Sequence, residues 1–428
     1  MGCHRRARSA VIVLVAFALA APPGLAPTAR AADEYAYPYR DPYLATLSVG
    51  LLLSHTVRRG VDARRLSISL IPGRDKVPLM QGRGEIQAFY FRQKDPAPLL
   101  FIVPGAGSSA YNWPLRYFGE RFFARGFHVI ALPGTMTWNF ALSASESGLP
   151  GVKEQDAKDL YRVMAAALDL IKSEYDASVT KVAFLGISMG GLDGAYLSEL
   201  DAREKTIGIG RFLLINPPVD LFHSARVVDD LYDEGRGWSR DERDVLMGRV
   251  IDCALDLNRD RHILEKPSPL FDLQKLLPLS AAQLRFLIGY DLRASIGGVV
   301  YTSQQIRDRG ILTSPPGQKS RRLAEAATVS VREYISEFLV PEYAERTGKP
   351  ISVEELGKKS SLRSLSLGAN PAVYVMHNAD DFLVTAADLA YLRETLGSRF
   401  TLYPRGGHVG NLWYHDNSEA ILAAFDSM

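Results

Sequence analysis

Four short stretches of this 428-residue chain carry residue types that can do chemistry together. Residues 181–191 read K-V-A-F-L-G-I-S-M-G-G, with Ser188 between glycines two positions before and two positions after. Residues 104–107 read Pro-Gly-Ala-Gly, residues 378–381 read Asn-Ala-Asp-Asp, and residues 405–408 read Arg-Gly-Gly-His. A neutral serine hydroxyl is a weak nucleophile and needs a base to take its proton. An imidazole, which titrates near neutrality, suits that role. A carboxylate on the far ring nitrogen fixes the tautomer and stabilises the imidazolium that forms. Backbone N–H groups in a glycine-rich turn can hold the negative charge that acyl transfer puts on a carbonyl oxygen. A serine, an acid, a histidine and such a turn make up the outfit for acyl transfer.

The elements around these stretches must bring them to one place. Residues 182–185 form a short apolar run that stops at Gly186, and a helix is expected from Met189 on. Residues 99–103 are a second apolar run, as in a strand buried on both faces, and 129–132, 212–215, 372–376 and 400–403 repeat the signal. Leu115, Phe118 and Phe122 share a helical face, as do Val163, Ala167, Leu170 and Ile171 within 153–172. Further helices are expected over about 385–396 and 418–425. Strand–helix alternation predicts an α/β fold with a mostly parallel central sheet and helices on both faces, whose site lies at the C-terminal ends of the strands. Residues 66–71 and 86–91 read as an antiparallel opening of the sheet. A Tyr-rich arm (Tyr35, Tyr37, Tyr39, Tyr43) precedes it, with a short helix near 45–57.

The alternation stops after Asn216-Pro217-Pro218. Residues 221–367 read as helices broken by Pro and Gly, charged early and more apolar in the middle. The expected organisation is a leader over 1–31, a first core part over 32–220, a helical cap insertion over 221–367 and a second core part over 368–428. Leu276, Leu277, Phe286 and Ile288 are expected to pack within the cap itself.

Residues 1–31 have the three parts of a secretory signal: His4, Arg5, Arg6 and Arg8, then an apolar run over 10–21, then the small-residue site Ala29-Arg30-Ala31. The run is short for a membrane anchor. Cleavage after Ala31 removes four arginines and no acid, so 50 basic against 48 acidic side chains become 46 against 48. The apparent basic character belongs to the leader, and nothing implies a nucleic-acid partner. Of two cysteines only Cys253 stays, so no internal disulfide is expected in the exported chain. No second stretch is long and apolar enough to span a membrane. The mature protein is expected to be exported, periplasmic or extracellular, with its oligomeric state open. No Cys/His cluster suggests a metal, no phosphate-cradling loop with Lys is present, and no cofactor is expected.

On these residues the chain resembles the α/β-hydrolase superfamily, serine-nucleophile type, over about 70–220 and 368–428. The pattern around Ser188 is that of a nucleophile elbow, and the family order is nucleophile, acid, histidine. The resemblance implies Ser188 as nucleophile, Asp381 as acid and His408 as base, with oxyanion donors at the backbone of Ala106 and Met189. Asp381 is preferred to Asp380 because Asp381-Phe382-Leu383-Val384 fits the family register. Asp220 is a third candidate, and His377 and His415 are rivals to His408. The family often has His-Gly-x-Gly where this chain has Pro104-Gly105-Ala106-Gly107, a departure that touches the support of the loop rather than its donor. The leading expectation is an exported carboxylic-ester hydrolase acting on a small-molecule or lipid ester. The alternatives are an acyltransferase on the same triad and a catalytically silent binding protein.

Overall fold

The structure, a computed structural model, describes residues 35–53, 63–74, 76–80, 84–259 and 273–428. The expected leader lies outside the described residues, as does the end of the helix expected near 45–57; its described part runs as α1, Pro42–Leu53. Eight strands form one sheet: β1 (Arg64–Ile68), β2 (Ile86–Phe91), β3 (Ala97–Val103), β4 (His128–Ala131), β5 (Val179–Ile187), β6 (Ile209–Ile215), β7 (Val373–Asn378) and β8 (Phe400–Tyr403). Their order is β1-β2-β4-β3-β5-β6-β7-β8. β1–β2 and β2–β4 pair antiparallel, and every pair from β4 through β8 is parallel. This is the expected α/β architecture of an α/β-hydrolase fold.

Continuous apolar strands are what a sheet covered on both faces requires. Along β3 the side chains divide with period two. Leu99, Phe101 and Val103 enter one core, while Leu100 and Ile102 enter the other. The first core is closed by α4 (Lys153–Tyr175) and α5 (Met189–Glu204) through Leu160, Met164, Leu192 and Leu197. The second is closed by α2 (Trp113–Ala124), the C-terminal helix His415–Ala423 and the turn after it through Phe118, Phe122, Ile421 and Phe425. Pro114 sits in the first turn of α2, where its missing N–H costs nothing.

The sequence reading missed α3, Trp138–Ser143, a short helix after β4 capped by Thr137, whose hydroxyl accepts from Phe140 N–H. Six residues are too few for a periodic signal. Between β6 and β7 the described chain is helical, with α6 (Leu221–Asp233), α7 (Arg240–Arg259) and α8 (Ala281–Ile306) the longest. Ser280 and Gln283 close a capping box at the start of α8. Leu277 and Phe286 pack into a third apolar cluster with the Tyr-rich arm, and Ile288 is also buried. Leu276 departs from its expectation: it lies half exposed on a four-residue helix too short to turn every apolar side chain inward.

Candidate functional site

Ser188 caps α5 directly after β5, at φ 55° and ψ −119°. That is a left-handed conformation a serine adopts only when its surroundings impose it. The surroundings are tight on both sides. A Cβ at Gly186 would overlap the Gly190 carbonyl, and one at Gly190 would overlap the Val103 carbonyl. The glycine spacing therefore has a packing cause. It lets the turn fold back under Ser188 and against the end of β3.

The Ser188 hydroxyl lies 2.7 Å from His408 Nε2, and His408 Nδ1 lies 2.9 Å from Asp381 Oδ2. All three side chains are buried. Ser188 follows β5, Asp381 follows β7 and His408 follows β8, so parallel pairing of the strands delivers them to one sheet edge. Asp381 Oδ1 accepts from Leu383 N–H at 3.0 Å, and Oδ2 accepts from Asn216 Nδ2 at 2.8 Å. Burial alone would raise the Asp381 carboxyl. The His408 imidazole outweighs it, helped by His377 and the Leu383 N–H, and holds the carboxyl below the usual carboxylate range.

The other candidates occupy different stations. Asp380 does not reach His408; its Oδ1 accepts from Gly407 N–H at 2.8 Å and braces the turn before the histidine. Asp220 is the N-cap of α6, accepting from the Phe222 and His223 N–H groups at 2.9 Å each. His415 is exposed at the start of the last helix. His377 is wholly buried with Nδ1 3.7 Å from Asp381 Oδ2, and burial pushes its imidazole down, favouring the neutral form. It flanks the acid and makes no contact with Ser188 in the hydrogen-bond network.

Two supports were not read from the sequence. Asn216, at φ 46° just after β6, donates to the acid from the neighbouring strand end. Thr46, on α1, accepts the His408 N–H at 2.8 Å while donating to the Pro42 carbonyl at 2.8 Å. The Tyr-rich arm is thus a strap over the histidine loop. The Tyr37 hydroxyl donates to the Gly410 carbonyl, Arg405 donates to the Tyr35 carbonyl, and Trp413 donates to Ser48. The rings of Tyr37 and Tyr39 pack on Trp413. A run of alternating tyrosines was the available signal for Tyr35 to Tyr39. Nothing local marks Thr46 or Asn216.

Gly105 lies so close to Ser188 that an added Cβ would stand 3.1 Å from the Ser188 Cβ. The next residue, Ala106, faces the same cavity as Ser188 and Met189. Met189 is the first residue of α5, so its N–H is one of the unpaired donors of a helix start. The Ala106 N–H has no partner among the described residues.

The cavity runs from Ser188 beneath α6 and α8, a space of about 710 Å³ that is partly open to solvent. Leu221, Ala225 and Val228 of α6, Leu292 and Ile296 of α8, and Leu339 contribute apolar walls. No Asp, Glu, Lys, Arg or His lines it among the described residues. Beside its floor, Lys153 Nζ is fully buried between Asp156 Oδ2 at 2.6 Å and Asp193 Oδ1 at 2.9 Å. Asp156 accepts from Gly151 N–H, and Thr135 donates to Asp193. Burial pushes Asp156 up to about 6 against the pull of Lys153. The cluster ties α4, α5 and the loop after β4 into one rigid support. The described residues contain no group of side chains spaced to hold a metal and no helix long and apolar enough to cross a membrane.

No protein with a curated description matches the sequence. Among solved structures, the chain is similar to the alpha/beta hydrolase GrgF from Penicillium sp. sh18 (14% identity, 85% of this chain and 96% of that chain, TM-score 0.40). It is also similar to the Pyrococcus furiosus esterase Pf2001 (11% identity, 85% and 89%, TM-score 0.40) and to a bacterial membrane phospholipase A described as a virulence factor (15% identity, 89% of each, TM-score 0.39). The family model "Alpha/beta hydrolase family" matches residues 99–424, which reach from β3 to the last helix, and the chain belongs to that family.

Proposed function

We propose that this hydrolase-family protein is an exported serine hydrolase that cleaves a carboxylic ester through an acyl-enzyme. The observation that carries the reading is the continuous bonded chain from the Ser188 hydroxyl through both nitrogens of His408 to Asp381. His408 Nε2 takes the Ser188 proton as Oγ attacks the carbonyl carbon. The carbonyl electrons move onto oxygen, and the Ala106 and Met189 N–H groups hold that charge. Collapse of the adduct breaks the ester bond, and the alcohol leaves with the proton from His408. Water, deprotonated by His408, then attacks the acyl-Ser188 ester, and release of the acid restores the serine.

The apolar walls of the cavity favour an uncharged, apolar acyl group. The leader pattern of residues 1–31 favours substrates outside the cytoplasm, lipid esters among them. The test is a fluorophosphonate probe together with a series of p-nitrophenyl esters of rising acyl length. Wild type should be labelled at Ser188 and hydrolyse the series, and Ser188→Ala should do neither. An unlabelled, inactive wild type sinks the reading and leaves a hydrolase-like binding protein.

A further inference from the structure

Asn216 stands one residue beyond the end of β6, where the elements that carry Ser188 and Asp381 meet. The Ile215 carbonyl before it accepts the Ser188 N–H at 2.8 Å, and its own N–H donates to the Met376 carbonyl of β7 at 2.8 Å. The residue is buried at φ 46°, a conformation that Asn adopts more readily than most residues. Its Nδ2 lies 2.8 Å from Asp381 Oδ2 and 3.3 Å from His377 Nδ1. An amide nitrogen carries two protons, and here each has an acceptor. Turned over, the amide would set its oxygen against the carboxylate and the ring.

His377 is fixed in turn. Its Nε2 lies 3.3 Å from the Pro217 carbonyl, which can only accept, so Nε2 carries the proton. Nδ1 is then bare, and it also accepts the Asn378 N–H at 3.1 Å. Burial favours the same neutral ring. Asn216 therefore wedges its NH2 group between two acceptors that lie 3.7 Å apart.

Asp381 Oδ2 is also the atom that His408 Nδ1 meets, at 2.9 Å. A carboxylate oxygen that already receives one donor pulls less on the next. The imidazolium formed when His408 takes the Ser188 proton is stabilised by the charge that Oδ2 still has to offer. We propose that Asn216 is a positioning residue that loosens the hold of His408 on its proton, by sharing Asp381 Oδ2 with it. This rests on His408 being the base for Ser188. The other titratable groups nearby are engaged elsewhere or neutral. Asp380 is turned to the Gly407 N–H, and His377 is neutral. On the strap, burial pushes the Tyr37 and Tyr43 hydroxyls up, so both stay protonated. The cavity brings no charged side chain among the described residues.

The experiment is the pH profile of kcat/KM on a p-nitrophenyl ester for wild type, Asn216→Gly and Asn216→Ala. Gly removes the donor and accepts the backbone conformation, whereas Ala removes the donor and keeps a Cβ. Without the amide, Asp381 pulls harder on His408, which keeps its proton to higher pH. The acid limb should move to higher pH in both variants, so that the ratio of kcat/KM at pH 8 to that at pH 6 rises by about threefold or more. NMR titration of the His408 ring should show the same displacement without substrate, and so reads the effect in a variant too slow to assay. A loss of kcat/KM that is equal at every pH, with the ring titrating as in wild type, makes Asn216 a structural support only and overturns the proposal. Loss of the wild-type circular dichroism spectrum in both variants does the same. A wild type that hydrolyses no ester and is unlabelled at Ser188 by fluorophosphonate overturns the underlying reading, and this proposal with it.

Discussion

The two sides of Ser188 are built in opposite ways. On the histidine side every polar side-chain atom of Ser188, His408 and Asp381 is bonded. Asp381 takes three hydrogen bonds, His408 is held through both ring nitrogens and its backbone N–H, and Asp380 braces the turn at Gly407. On the side of α6 and α8 the walls of the cavity are apolar. The first side fixes geometry to a fraction of an ångström, as bond making requires. The second side fixes little beyond shape. In the proposed reaction the contrast makes chemistry and selection separable. Changes on the histidine side should act on turnover, and changes in the cavity should act on which ester is turned over.

Experiments can press that separation from the largest effect downward. Ser188→Ala should cut turnover by on the order of 10⁶ with the fold intact, read by ester hydrolysis and circular dichroism. Asp381→Asn should lower kcat by about 10⁴, whereas Asp380→Asn should cost far less because Asp380 does not touch His408 and Asn keeps an oxygen for the Gly407 N–H. Equal losses from the two would break the assignment of the acid.

Thr46→Val should lower kcat by roughly tenfold with KM little changed, since it releases the His408 N–H, and Thr46→Ser should recover most of the loss. A change in KM alone would mean that the strap shapes the cavity instead. Ala225→Phe, which fills the cavity from α6, should move the preferred p-nitrophenyl ester to shorter chains, with a loss of a few fold on the shortest ester. If acyl preference does not move, the cavity is not the acyl site.

The smallest effect is on stability against pH. The Asp381 carboxyl titrates lower in the folded chain than in the unfolded one, where about 3.9 is usual. Its stabilising contribution is therefore present above the unfolded value and lost as pH falls through the folded one. Asp381→Asn removes that contribution. Urea denaturation should then show a smaller loss of stability between pH 5 and pH 3 in the variant than in wild type.

Much of the histidine side could be read from residue order. A strand stopping at Gly186, the glycines around Ser188 and the acid and histidine after later strands are local patterns, and parallel pairing does the rest. The register Asp381-Phe382-Leu383-Val384 pointed to the carboxylate that the fold sets against His408. The supports could not be read the same way. Asn216 meets Asp381 across 165 positions and Thr46 meets His408 across 362, and neither residue type is marked by its neighbours. α3 is too short to show a period, and Leu276 was assigned inward on residue type alone. A contact between distant segments leaves no trace in either segment, whereas a turn writes its needs into adjacent residues.

The strap has a consequence for heat. Tyr35 to Ser48 are fastened to Arg405, Gly410, Trp413 and Asn417, and take no strand position in the sheet. Such a segment can open as a unit of its own without breaking a single ladder of the sheet. Opening it would free the loop that carries His408 while β1–β8 stay paired. On warming, catalysis should therefore fade at a lower temperature than the helix signal, and return on cooling as long as the sheet has held.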